Sequence, residues 1–168
     1  MECGGGLMAS VKAEGIDLFV NQLGNLARDL AEVNRGALGA MAEYVADAIG
    51  NAIQSMPVRG DDEYGTAKHK LYGATQSEKQ QIAENFGIAP FKTRGGNHDT
   101  SIGFTGYVDT PSTRFNDRIP TGMLMQCIEY GTEFRQGTLT ITAAIKKTKN
   151  APEKAQEYID KEINKIMK

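Results

Sequence analysis

The chain has 168 residues, 40% of them hydrophobic and 24% charged, with no Trp and 19 glycines. That length fits one domain with a modest core, and the composition favours a folded globular or assembly protein over a disordered one. No apolar run reaches the roughly 20 residues that cross a bilayer, and two cysteines (Cys3 and Cys127) are too few for a disulfide scaffold, so a reducing compartment fits.

The net charge of −2 hides an asymmetry. From Phe134 onward there are eight basic residues against four acidic ones, which leaves the preceding part at −6. A basic end of this kind is suited to an acidic neighbouring subunit, to nucleic acid, or to a solvated helix face with internal pairs. The start, MECGGGLM, lacks the basic region and long apolar core of a signal peptide. Residues 1–8 are expected to be a disordered extension, with Met8 an alternative initiator, ahead of one domain spanning 9–168.

In chain order, Ala9–Glu14 alternates weakly and predicts a short edge strand that Gly15 ends. From Ile16 the period is helical: Phe19, Leu23, Leu26, Leu30 and Val33 recur at three- and four-residue steps, with Asp17 at the helix start. A second run places Leu38, Met41, Val45, Ile49, Ile53 and Met56 on one stripe, and Pro57 closes it. Asn34 is a candidate N-cap between the two runs, yet no proline forces a break. One kinked helix and two helices are both open. The alanines around the second run would let it touch the sheet with one face and a second subunit with another.

Val58–Thr75 is polar, glycine-punctuated and aperiodic, and predicts a long loop. Asp61, Asp62 and Glu63 are adjacent there but lack the alternate spacing of a calcium loop. Ser77–Phe86 predicts a short helix capped by Thr75 or Ser77 and closed by Gly87. Next, GIAPFKTRGGNHDTSIGFTGY predicts two strands around RGGN, with Ile88, Phe91, Ile102, Phe104 and Tyr107 as the apolar face. Val108–Pro120 predicts an irregular connection. Thr121–Tyr130 predicts a helix stopped by Gly131, its apolar side formed by Met123, Leu124, Cys127 and Ile128. Leu139, Ile141, Ala144 and Ile145 precede the basic run KKTKN. Pro152 then opens a final helix with a stripe of Ala155, Tyr158 or Ile159, Ile163 and Ile166, and with Glu157–Lys161 as its outer ion pair. The fold class expected is α+β: a long N-terminal helix or helix pair and a C-terminal helix packed on a small antiparallel sheet.

Chemistry leaves little trace. His69 and His98 each stand alone in polar segments, away from metal-ligand spacing. His98 and Asp99 are neighbours on a strand and so point to opposite faces, which defeats a base–orienter pair. Cys127, with Met125 and Ile128 as neighbours in an apolar run, reads as a small buried hydrophobe rather than a nucleophile. RGGN is neither a dinucleotide fingerprint nor a P-loop. No catalytic residue, metal ligand or cofactor follows from these residues, and an enzyme is not expected.

The order of AEGIDLFVNQL, ENFGIAPFKT, SIGFTGY and IEYGTEF along the chain resembles a family of tailed-phage proteins. This is the minor tail-component family typified by gene product ten of the HK-type lambda-like siphophages. The resemblance covers most of the chain, from Met8 to the final helix, and its individual motifs are short and glycine-based. This chain has Gly137-Thr138-Leu139 where members often carry Pro-Phe, and Val108 where an Asn is common. The resemblance implies a structural subunit of the head–tail neck, acting in tail completion or termination. Such a subunit would join copies of itself in a ring at the head-proximal end of the tail tube. It would work without cofactor, first in the host cytoplasm and then in the virion, with neck and tail-tube proteins as partners.

Candidate subunit contacts are the charged residues of the irregular segments: Arg59, Asp61, Asp62 and Glu63, then Arg114, Asp117 and Arg118, then Glu133 and Arg135 at the EYGTEF corner. Lys146, Lys147 and Lys149 complete the set, either against an acidic neighbour or, in the alternative reading, as a nucleic-acid-binding module with weak contact to DNA in the neck. In the corner, glycine permits a tight bend, Thr132 bonds locally to the backbone, and Tyr130 and Phe134 anchor the bend on either side.

Overall fold

The structure, a computed structural model, describes residues 16–60, 65–95, 97–110 and 118–167. The strand expected at Ala9–Glu14 lies outside them. A single helix, α1 (Ile16–Gln54), takes up 39 residues without a break at Asn34–Gly36. At 1.5 Å per residue it is about 58 Å long, far longer than the core it serves. Gly36 does not interrupt it because glycine is needed there for packing: a Cβ at that position would overlap the ring of Tyr158.

Tyr158 belongs to α5 (Ala151–Ile166), which packs along α1. The contact is tied by the Tyr44 hydroxyl donating to Asn150 Oδ1 (2.9 Å) near one end and by Gln22 Nε2 donating to the Met167 carbonyl (3.2 Å) near the other. Pro152 stands in the first turn of α5, as its missing N–H allows. The outer ion pairs differ from the expected Glu157–Lys161. Lys154 Nζ takes both oxygens of Glu157 (2.9 and 3.0 Å), and Lys165 pairs with Glu162, both at i,i+3. With Glu157 satisfied from the turn before it, Lys161 is left out.

After α1 the chain makes β1 (Leu71–Tyr72) and α2 (Gln76–Glu84). Thr75 is the N-cap of α2 in a full capping box. Its hydroxyl accepts from Glu78 N (3.0 Å), and the Glu78 carboxylate accepts from Thr75 N (2.9 Å). The helix ends at Asn85 rather than Gly87, and Phe86 opens a strand. The expected hairpin is present in two stages. β3 (Lys92–Arg94) and β4 (Asn97–Asp99) flank the RGGN turn, and β2 (Phe86–Ile88) pairs antiparallel with β5 (Ile102–Phe104) below it. Phe86 faces Phe104 across that ladder with ring centroids 5.3 Å apart. Of the expected apolar face, Ile102 and Phe104 reach the core, whereas Ile88 and Tyr107 are exposed.

The Val108–Pro120 segment is not wholly irregular. β6 (Tyr107–Asp109) pairs with β7 (Arg118–Pro120), and Val108 is fully buried. The GFTGY turn before it depends on Gly106, which has φ +67 and would place a Cβ 2.9 Å from Asn85 Oδ1. Asn85 fixes that turn, its Nδ2 donating to the Tyr107 carbonyl (3.1 Å) and to Thr121 Oγ1 (3.0 Å).

α3 (Thr121–Tyr130) matches its predicted bounds, and β8 (Arg135–Gln136) pairs in parallel with β1. A further helix, α4 (Thr140–Lys147), occupies the stretch read only as apolar residues before a basic run. The α+β class stands as expected, with the strands split, among the described residues, into four two-stranded ladders, three of them antiparallel. The core gathers Ile49 and Ile53 of α1 and Met56 just beyond it with Ile82, Val108, Leu124, Met125 and Ile128. It sits against the C-terminal half of α1 alone. In the N-terminal half Val33 is buried, while Val20, Leu23 and Leu30 are 57, 44 and 49% exposed.

Candidate functional site

Two buried carboxylates organise the region around the EYGTEF corner. The first is Glu78, whose side chain is 3% exposed and lies between two guanidinium groups. Arg59 Nη2 is 3.6 Å from Glu78 Oε2, and Arg135 Nη2 is 3.5 Å from Oε1. The same carboxylate accepts from Thr75 N and from the Thr110 hydroxyl (2.9 Å). Arg135 Nη1 donates to the Gly73 carbonyl at 2.8 Å, and the backbone N–H of Arg59 donates to the Ala74 carbonyl at 2.9 Å. The cluster therefore joins the chain leaving α1, the start of α2 and the corner after α3. Each oxygen of the buried carboxylate thus meets one guanidinium group and one further donor, which offsets the cost of taking it out of water. The arrangement clamps three segments; it offers no nucleophile and no base.

The second carboxylate is Glu129, 4% exposed, in the last turn of α3. Its Oε1 accepts from Thr142 N (2.6 Å) and its Oε2 from Ile141 N (3.1 Å), two of the free N–H groups that open α4. The α4 N-cap itself is Leu139, a left-handed residue (φ 52) whose side chain cannot cap. Glu129 thus caps a helix ten residues downstream, at the end where the helix dipole favours a negative charge.

Between the two carboxylates lies the bend. Gly131 has φ +82, and a Cβ there would stand 2.8 Å from the Arg135 carbonyl. Thr132 N donates to that carbonyl (2.7 Å), and Thr132 Oγ1 accepts from Phe134 N (3.2 Å), the local bonding expected of it. Tyr130 and Phe134 do not anchor the bend inward. They are 71% and 51% exposed, and Leu139 is 53% exposed beside them in sequence.

The predicted contact residues divide accordingly. Arg59 and Arg135 come together on Glu78, with side chains only 9 and 10% exposed, and serve the chain's own interior. Arg118 is exposed; it pairs with Asp109 (3.3 Å) and lies 5.4 Å over the Tyr107 ring. Glu133, Lys146, Lys147 and Lys149 are exposed. Asp61, Asp62, Glu63, Arg114 and Asp117 lie outside the described residues. Sequence reasoning placed neither Glu78 nor Glu129 at a site. Thr75-x-x-Glu78 carried the capping signal, but nothing local announced that two arginines, 19 residues before and 57 after, would converge on it.

Two grooves run along α1. One, about 570 Å³, is lined by Ala46, Asp47, Gly50, Ile53, Ala83 and Phe86 among others, and Asp47 is its one titratable side chain. The other, about 390 Å³, lies between Gly36, Gly39, Phe91 and Tyr158 and is rimmed by Glu32, Arg35 and Glu43. His98 pairs through Nδ1 with Thr93 Oγ1 (3.0 Å). Among the described residues there is no group of three His, Cys, Asp or Glu that would hold a metal, and no helix is long and apolar enough to cross a membrane. Compared with protein-family models, with curated proteins and with solved structures, the chain matches none of them.

Proposed function

We propose that this chain is a structural subunit of the head–tail neck of a tailed phage, acting in tail completion or termination as one member of a ring. The observation that carries the reading is a rigid bend presenting apolar side chains to solvent. Tyr130, Phe134 and Leu139 are each more than half exposed, while Glu78, Glu129 and Arg135 fix the backbone beneath them. A side chain of this size left in water is an unused binding contribution, and aromatic residues are the ones that most often anchor protein contacts. The order of the four segments that resembles the phage tail-component family supports the same reading.

Charge supports it as well. Glu32, Glu43 and Asp47 lie exposed along α1, and Lys146, Lys147 and Lys149 lie exposed at the end of α4. Opposite signs on different parts of one chain suit a head-to-tail contact, the kind that closes into a ring. The nucleic-acid reading rests on the same three lysines. Two of them stand in the last turn of α4, where the helix dipole already favours a cation, so that reading comes second.

Negative-stain imaging of the purified chain, alone and mixed with purified tail tubes, tests the proposal. The expected result is closed rings, free or seated on one end of the tube. A chain that neither closes nor binds a tube end, at any salt concentration tried, sinks the reading.

A further inference from the structure

We propose that the N-terminal half of α1 pairs with the same segment of a second copy, forming a parallel two-stranded coiled coil. This stands on α1 alone and does not depend on the neck reading. At 100° per residue, Leu38, Val45, Ile49 and Ala52 fall within an arc of about 60°, and all four are buried or half-buried. The same side of the helix, followed toward its start, carries Val20, Leu23 and Leu30. There the core has ended and the three side chains stand open to solvent. The flank that carries Gly36 and Tyr44 is taken by α5. At the same 100° per residue, the stripe begins at Leu30, about 40° from Tyr44 on that flank, and turns away from it toward Val20, about 120° from Tyr44.

The spacing and the residue types together say what covers the stripe. Ile16, Val20, Leu23, Ala27, Leu30 and Asn34 follow one another at steps of 4, 3, 4, 3 and 4, the seam of a heptad repeat. The same steps continue through Leu38, Ala42, Val45, Ile49 and Ala52, which the chain's own core covers, so what points to a second copy is which residues fill the open positions rather than the period alone. In that register Val20, Ala27 and Asn34 occupy a positions, while Ile16, Leu23 and Leu30 occupy d. A β-branched residue at a with leucine at d favours two parallel strands, and an Asn at a fixes their alignment. Asn34 is exposed in the single chain, so in the pair it meets its own copy rather than losing an internal partner.

Identical helices pair only if their flanks do not repel. The e positions of residues 16–34 are Asp17, Gly24 and Ala31 and the g positions Phe19, Leu26 and Val33; by register a parallel pair opposes position 19 to 24 and 26 to 31, and Asp17 has no g position of the seam opposite it, so no like charges are opposed within the seam. Gly24 has open space around its Cα, which leaves room for close approach. The seam covers under three heptads, roughly 27 Å, so the contact lies at the small end of stable interfaces and its dimer dissociates on dilution.

Sedimentation velocity over a dilution series tests this, with the Leu23→Asp/Leu30→Asp double variant beside the native chain. With the proposed ring contact disturbed by Lys146→Glu/Lys147→Glu, the chain is expected to reach twice the monomer mass on concentration. The variant, altered only at side chains exposed in the monomer, should weaken dimerisation at least about a hundredfold with an unchanged circular dichroism spectrum. Lys146→Glu/Lys147→Glu, which disturbs the proposed ring contact, should leave the dimer intact, so the two ideas fail separately. Orientation is read from Leu23→Cys in a Cys3→Ser/Cys127→Ser background: a parallel pair places the two copies side by side and gives a disulfide-linked dimer, whereas Glu32→Cys, at an outer f position, gives none. A native chain monomeric at every concentration overturns the proposal, as does a mass unmoved by the double variant. Dimerisation without the Leu23→Cys cross-link overturns the parallel register.

Discussion

Replacing Glu129 with alanine isolates the device that holds α4 to the end of α3. The substitution removes two charge-assisted hydrogen bonds, to Ile141 N and Thr142 N, and a negative charge at the start of a helix whose N-cap, Leu139, supplies no side-chain bond. A hydrogen bond to a charged group is worth about 1.5–3 kcal/mol net, and a charge at a helix end about 0.3–1 kcal/mol. Ile141 and Thr142 are half-buried, so water recovers part of the loss once the carboxylate is gone. The expected cost is about 3–4 kcal/mol, a large share of the 5–15 kcal/mol typical of a whole domain. With a urea dependence of roughly 2 kcal/mol per molar, the unfolding midpoint should fall by about 1.5–2 M, followed by circular dichroism and tyrosine fluorescence together. Glu129→Gln keeps one acceptor oxygen and turns an NH2 toward the second N–H, so it should fall between native and alanine. Glu133→Ala, four residues on and exposed, should move the midpoint by less than about 0.3 M. A Glu129→Ala midpoint within that same margin would refute the capping role.

Four other outcomes follow from the structure. Glu78→Ala takes the carboxylate from between two guanidinium groups and should cost about 3–5 kcal/mol by urea unfolding, whereas the triple change Arg59→Met/Glu78→Leu/Arg135→Met should cost distinctly less. Two glycines of α1 should respond with opposite signs. Gly50→Ala has nothing within 4 Å of the new methyl and should raise stability by about 0.5–1 kcal/mol; Gly36→Ala meets the Tyr158 ring and should lower it by about 1–2 kcal/mol, read as melting shifts in opposite directions. Gly131→Ala forces a methyl against the Arg135 carbonyl at positive φ and should cost at least about 1 kcal/mol. Fluorescence titration with duplex DNA at moderate salt should show no saturable binding; a salt slope near −0.9 per phosphate neutralised, lost in Lys146→Glu/Lys147→Glu/Lys149→Glu, would place the nucleic-acid reading first.

Elements whose cause is local were legible in the chain. α3 and α5 carry their own start and stop signals in Gly131 and Pro152, and the capping box of α2 is written in Thr75 and Glu78. The hairpin at RGGN followed from turn chemistry. What was missed depends on distant partners. β6 and β7 are three residues each, too short for a period to show, and exist because they pair with one another. α4 has no capping residue of its own, since its cap comes from Glu129, so nothing local marked its start. The continuity of α1 was left open because Asn34 offers a second N-cap between two apolar runs; the packing at that junction, Gly36 against the ring of Tyr158, comes from 122 residues away. Within the candidate site, Arg59 and Arg135 were singled out as charged and accessible. Nothing short of the fold could show that Glu78 would draw both inward.

That inward turn bears on how the corner would meet a partner. A flexible loop that presents aromatic side chains loses backbone and side-chain freedom on docking, about 1–2 kcal/mol for each residue fixed. Here the loss has already been met in folding. Arg135 is held by Glu78 and by the Gly73 carbonyl, Leu71 N donates to the Phe134 carbonyl at 2.9 Å, and Leu139 N donates to the Glu129 carbonyl at 3.1 Å. The backbone on both sides of the bend is therefore set before any contact forms, while Tyr130, Phe134 and Leu139 keep their apolar surface outside. If the corner docks in the proposed ring, Glu78 and Glu129 would act on assembly without touching a neighbour. Conservative changes at either should weaken ring closure more than they weaken the fold, because they restore to the corner the freedom that docking must then remove. Changes at Tyr130 or Phe134 should weaken closure alone and leave the urea midpoint where it was.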